Sequence, residues 1–245
     1  MRVMLTHPAS GGSQHSVSGL TPMRLKLRRI IELRLEKSTL RTLLRTLLSL
    51  ALLSAGVAHA AGGPLGIDHP IKFDQSGIWS RNTQVLLEAA TLFTVVGGAM
   101  WGGGETRLGK TYWRAIDSTI MATAAAEVGK YRFQRARPTQ TSDPNQWGKG
   151  GGNYSFPSAE VAFISSAVTP FVIEYGHDNP WVYALELLPA YDGIARMKSR
   201  SHWQTDVLAG WALGTATGWY ASTRGTPWML SVMPHAVQVG FSTRW

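Results

Sequence analysis

The sequence predicts an all-α fold, a bundle of about five core helices followed by a short extended C-terminal tail. Three observations lead there. Apolar segments of helical length alternate with Gly, Pro and polar breakers along residues 83–224. Hydrophobic residues make up 44% of the 245 and charged residues 16%, enough for a packed core and unlike a disordered chain or a coiled coil. Gly210, Gly214 and Gly218 recur at four-residue spacing, a smooth stripe against which another helix can lie closely. The Cys count is 0, which excludes disulfide frameworks, zinc knuckles, iron–sulfur ligation and a thiol nucleophile.

Residues 1–60 read as an export signal. A basic stretch through Arg45 precedes the uncharged apolar run Thr46–Val57, and Ala58-His59-Ala60 follows as a small-x-small cleavage pattern. The run is shorter than the roughly 20 residues a membrane-spanning helix needs. Residues 1–22 are polar and Ser/Gly-rich, so translation from Met23 would give a more ordinary signal. The expected location is the periplasm or cell envelope. Of the net charge of +9, residues 1–60 hold +7 and the body only +2. A basic surface for nucleic acid is therefore not expected.

Residues 61–82 form a turn-rich lead-in to the domain, 83–224. Val85 to Met100 is apolar except for Glu88 and two Thr, and Ala115 to about Arg135 is rich in Ala and Thr. The polar stretch PTQTSDPNQWGKGGGN, residues 138–153, is expected to be an unpacked loop long enough to serve function. Ser158 to Tyr175 is a third helix, ended by His177-Asp178-Asn179-Pro180. Trp181 to about Met197 is a fourth and Thr205 to Ser222 a fifth. Residues 225–245 are the tail, whose end from His235 to Trp245 alternates partially and reads as a short strand or extended arm. No segment reaches eighteen uninterrupted apolar residues, and mean hydropathy is −0.06. The body reads as a soluble or surface-associated domain, and 10 Trp keep a membrane-surface association open.

Three clusters carry chemistry. In KYRFQRARP, Pro138 ends the helix near Arg137, so Lys130 on the last turns and Arg137 at the loop entry can point into one pocket. A point charge beside a planar fork suits a phosphate, although a solvated basic helix end has the same residues. In SFPSAE, Ser158 is the N-cap of a helix whose free first-turn amides can cradle an anion. An ordinary capped helix, with Glu160 answering its dipole, reads the same way. In ARMKSRSHWQTD, His202 and Asp206 lie one turn apart at the start of the last helix. Asp206 there can hold the imidazole in one tautomer and leave the other nitrogen free to attack.

Together these stretches resemble the three signature motifs of the type 2 phosphatidic acid phosphatase superfamily. It includes bacterial acid phosphatases, lipid phosphate phosphatases and vanadium haloperoxidases. Lys130, Arg137 and Pro138 meet the Lys-x6-Arg-Pro spacing, and Arg196, His202 and Asp206 meet Arg-x5-His-x3-Asp. Only Pro157 and Ser158 meet the Pro-Ser-Gly-His pattern. Ala159-Glu160 stands where that family has Gly-His, and Ala195 where it has Ser.

The resemblance implies a helical bundle of that family's kind and a phosphatase acting on a phosphomonoester or pyrophosphate, without metal or other cofactor. The partner would be a phosphorylated small molecule or, in the envelope, a lipid phosphate; the oligomeric state does not follow. Lys130, Arg137, Arg196, Ser158 and the Ala159 amide would hold the phosphoryl group. His202, oriented by Asp206, would attack phosphorus, and Glu160 would replace the missing His as the acid. Two rival readings stay open: a haloperoxidase with vanadate on His202, and a weakened phosphatase that binds phosphate groups.

Overall fold

The computed structural model describes residues 62–229. The expected export signal and the arm His235–Trp245 lie outside them. Five α-helices follow in order: α1 (Arg81–Gly102), α2 (Arg107–Phe133), α3 (Ala159–Tyr175), α4 (Leu187–Lys198) and α5 (Gln204–Thr223). Short 3-10 turns, Gly77–Trp79 and Pro180–Glu186, precede α1 and α4. There is no strand among the described residues, so the fold is all-α as the sequence predicts.

Helix α3 is central, packed on α2, α4 and α5, and α1 lies mainly against α2. Small side chains make this closeness feasible. Ala122 and Ala126 of α2 meet Ala159 and Ala162 of α3, and Val95, Ala115 and Ala167 join α1, α2 and α3. The glycine stripe of α5 faces α3. A Cβ on Gly210 would lie 2.4 Å from the Ser158 carbonyl oxygen, and one on Gly214 2.4 Å from that of Ala162. That contact docks the start of α5, which carries His202 and Asp206 nearby, against the start of α3. At the far end, Arg107 and Arg114 of α2 bind Glu174 of α3 at 2.7 Å each.

Three boundaries differ from expectation, each for a local reason. Helix α2 begins at Arg107, eight residues before Ala115, because the Thr106 side chain caps it by accepting from the Gly109 N–H at 2.9 Å. It ends at Phe133, before Arg135, where Gln134 turns left-handed at φ 46°. The expected helix from Trp181 to Met197 is split, α-helical only from Leu187. Pro189, without an N–H, fits the first turn of α4 but would interrupt a helix begun at Trp181.

The loop after α2 is also more ordered than its composition suggests. Trp147 packs edge-on against Phe133 and Phe156 and lies under the Arg135 guanidinium at 4.5 Å. Helix α1 has 22 residues, a mean hydropathy of 1.5 over an 18-residue stretch of it, and mostly exposed side chains, Phe93 and Trp101 among them. By length and composition it could cross a membrane. No uninterrupted apolar run marks it in the sequence, because Glu88, Thr91 and Thr94 lie within its apolar stretch.

Candidate active site

The site forms where the starts of α3 and α5 meet the end of α4. His202, in the turn between α4 and α5, is 1% exposed. Its Nδ1 lies 2.6 Å from the Ser155 carbonyl oxygen. A carbonyl only accepts, so Nδ1 carries the proton, and in neutral imidazole the lone pair is on Nε2. Among the described residues Nε2 has no hydrogen-bond partner, and it faces Glu160 Oε2 at 3.4 Å.

Asp206 does not bind the imidazole directly, contrary to expectation. Its Oδ2 lies 3.8 Å from Nδ1, too far for a hydrogen bond. The Ser155 carbonyl has taken that place. Asp206 instead accepts from the Ser155 hydroxyl at 2.5 Å, from the Trp203 N–H at 2.8 Å and from Arg135 Nη1 at 2.6 Å. Burial raises its pKa, but His202, Arg135 and the Ser155 hydroxyl outweigh that and hold it below the usual carboxylate value. Asp206 and His202 are thus linked through Ser155, whose hydroxyl donates to one and whose carbonyl accepts from the other.

Arg135 and Asp68 were not singled out from the sequence, yet both side chains are fully buried and support this arrangement. Arg135 donates to Asp68 at 2.5 Å, to Thr205 Oγ1 at 2.7 Å and to the Pro144 carbonyl at 2.7 Å. Asp68 also accepts from the Thr205 N–H at 2.8 Å and the Thr205 hydroxyl at 2.6 Å. The lead-in is therefore a strap across the turn that carries His202. Arg200 Nε donates to the Ile71 carbonyl at 3.0 Å, and the Asp74 N–H to that of Lys198 at 3.1 Å.

Arg196, 4% exposed, sends Nη2 to Glu160 Oε1 at 2.9 Å and Nη1 to Gln84 Oε1 of α1 at 3.2 Å. Glu160 therefore sits between Arg196 and His202. Burial pushes its pKa up, but contact with His202 when Nε2 also carries a proton, and the charge of Arg196, outweigh this and hold the group well below the usual carboxylate value. In this arrangement Glu160 is therefore held toward its ionised form.

The other expected ligands stand around this centre. Arg137 is partly buried, with one nitrogen 3.4 Å from the Tyr154 carbonyl. Burial lowers its pKa most, partly countered by the charge of Glu160. Lys130 donates to Glu127 at 2.7 Å and, with Glu160 and Ala159, lines a cavity of about 490 Å³. Val85, Ala89 and Leu92 of α1 and Phe163 of α3 give this cavity an apolar wall. Ser158 is buried and occupied as a cap: its hydroxyl accepts from the Val161 N–H at 3.5 Å, and its N–H donates to the Asp206 carbonyl at 3.0 Å. The structure thus brings His202, Glu160 and Arg196 into direct contact and leaves Lys130 on the cavity wall.

Comparison with known proteins gives the following. Residues 111–228 match the PAP2 superfamily. The chain is 30% identical over 125 residues to a lipid A 1-phosphatase of Porphyromonas gingivalis, covering 49% of this chain and 26% of that protein. It is 26% identical over 102 residues to an undecaprenyl-diphosphatase of Sulfolobus acidocaldarius, covering 41% of this chain and 48% of that protein. The chain thus spans about a quarter of one relative's length and about half of the other's. A crystal structure of Aquifex aeolicus LpxE aligns with a TM-score of 0.38 and 18% identity, over 61% of this chain and 98% of that one.

Proposed function

We propose, from the premise that residues 111–228 carry a PAP2 superfamily domain, that this protein is an exported phosphatase removing a phosphoryl group from an envelope lipid phosphate. The observation that carries the reading is at Nε2 of His202. Its neighbour Nδ1 is held by the Ser155 carbonyl, and Nε2 itself faces the Arg196–Glu160 pair, of which Glu160 also lines a cavity with an apolar wall. A nucleophilic nitrogen beside a guanidinium suits an incoming phosphoryl group, and the apolar wall suits a lipid chain. The two relatives bear the names of enzymes that act on lipid-borne phosphates, which supports the same substrate class.

In this mechanism a phosphoryl oxygen takes the place of the Glu160 carboxylate on Arg196, with Arg137 and Lys130 adding positive charge. Nε2 attacks phosphorus, an N–P bond forms, and the bond to the leaving oxygen breaks. Water then cleaves the phosphohistidine and releases phosphate. Catalysis rests on charge placed where the transferring group develops its own.

An ionised Glu160 has no proton to give the leaving oxygen. The reading therefore favours leaving groups that depart as stabilised anions: a lipid pyrophosphate, which sheds a lipid phosphate, or an anomeric sugar phosphate. A simple alkyl phosphate needs more help. Purified protein given a polyprenyl pyrophosphate, lipid A and phosphatidate should release phosphate fastest from one of the first two. Fastest release from phosphatidate would overturn this preference, and no release from any would overturn the enzyme reading. The hold of Glu160 on Arg196 favours one second reading, a phosphate-group binder. Saturable binding of a labelled lipid phosphate without release would establish it.

A further inference from the structure

Asp192 of α4 is fully buried, and neither of its carboxyl oxygens has a hydrogen-bond partner among the described residues. It lies one helical turn before Arg196, whose Nε is likewise without a partner. The other two guanidinium nitrogens of Arg196 are engaged by Gln84 and Glu160. One cation of the phosphoryl site thus has one carboxyl group bonded to it and a second, idle one a helical turn away that feels its charge.

We propose that Asp192 is a positioning residue that gates Arg196: protonated, it leaves the guanidinium to the phosphoryl group, and ionised, it takes the guanidinium for itself. The proposal rests on the functional reading above in treating Arg196 as the phosphoryl ligand. The physical reason is the cost of burying an unpaired carboxylate. Without a hydrogen bond, an anion in this position keeps its proton until it can pair with a cation. The charges that act on it come from every side: Arg196 on its own helix, Glu160 on α3, Glu88 on α1 and His202 before α5. Burial and the two glutamates raise its pKa and Arg196 and His202 lower it, leaving it at about 7. The neutral form is therefore the resting form in mildly acidic conditions. When the proton leaves to solvent, Nε of Arg196, one turn along the same helix, is an unengaged donor among the described residues.

Gating predicts that the site loses anions as Asp192 ionises. Sulfate is the suitable probe, because its charge is constant across the range where phosphate titrates. Calorimetry on the mature protein should show sulfate affinity falling about tenfold to a hundredfold as pH rises from one unit below to one unit above 7. Asp192→Asn, isosteric with the neutral acid, should keep the acid-side affinity throughout and move the alkaline limb of phosphate release upward. The proposal is overturned by a wild-type affinity that does not change with pH, or by Asp192→Asn showing the same fall. If that variant does not fold, Asp192→Ala makes the same comparison. A pH-dependent affinity abolished by the substitution, in a protein that hydrolyses nothing, would sink the phosphatase reading and leave the gate intact. Phosphate release with an unchanged limb in the variant would do the reverse.

Discussion

Glu160 and Asp192 flank the same guanidinium with opposite pKa shifts, the first held well below the usual carboxylate value and the second raised to about 7. The difference comes from contacts, since Glu160 touches Arg196 and His202 while Asp192 has no hydrogen-bond donor among the described residues. Removing the Glu160 charge frees Arg196, so Glu160→Gln should tighten inhibition by phosphate about tenfold or more. Weaker inhibition would mean that Glu160 helps to hold the anion. Asp192 also makes stability depend on pH. Its folded pKa lies above the ordinary aspartate value of 3.8, so the folded state retains a proton that the unfolded chain releases. Its contribution is complete below 3.8 and is lost as pH climbs to about 7, by at most roughly 1.4 kcal/mol per unit. Asp192→Asn should therefore melt higher than the parent above neutral pH and show a flatter dependence below it. Asp206 behaves otherwise. The Ser155 carbonyl sets the tautomer of His202, so Asp206→Asn should act first on stability, leaving the buried Arg135 charge with one carboxylate partner instead of two. A loss of about 3 kcal/mol in denaturant titration is expected. An unchanged stability with a large fall in turnover would restore the direct His–Asp role.

Elements reach this arrangement by close packing. The stripe Gly210, Gly214, Gly218 lets α5 lie against α3, and Gly214→Val should cost about 1–3 kcal/mol in thermal or denaturant unfolding, because its Cβ would press on the Ala162 carbonyl. No loss would mean that α5 can shift without affecting the site. This stripe was legible in the sequence because its spacing is a property of one helix. So were the five helices and the three motif clusters, since Lys130 with Arg137 and Arg196 with His202 are each close in the chain. Asp68 was not, because its bonds to Thr205 join residues 137 apart and no local pattern marks the partner. Arg135 stood inside a motif, but its partners Asp68, Pro144 and Asp206 come from three different segments. Asp192 left no trace as a polar position in an apolar helix. The meaning of that position depends on burial alone. The break before α4 could have been read from Pro189, had its place in a first turn been weighed.

At the scale of the whole molecule, the strap formed by residues 62–74 lies outside the PAP2-matching residues 111–228 and still binds the turn that carries His202. Its Asp68 follows the expected cleavage point at Ala60 by only eight residues. A chain processed there would keep the complete strap. The account as a whole depends on one covalent event, attack by Nε2 of His202 on a phosphoryl group. The most direct measurement is rapid quenching of the mature protein with a polyprenyl pyrophosphate labelled at its terminal phosphate, followed by peptide mapping under conditions that preserve phosphohistidine. The account predicts label on the peptide containing His202, formed before free phosphate and absent in His202→Ala, which should also lose phosphate release. Phosphate released with no labelled histidine, or sustained by His202→Ala, would contradict it.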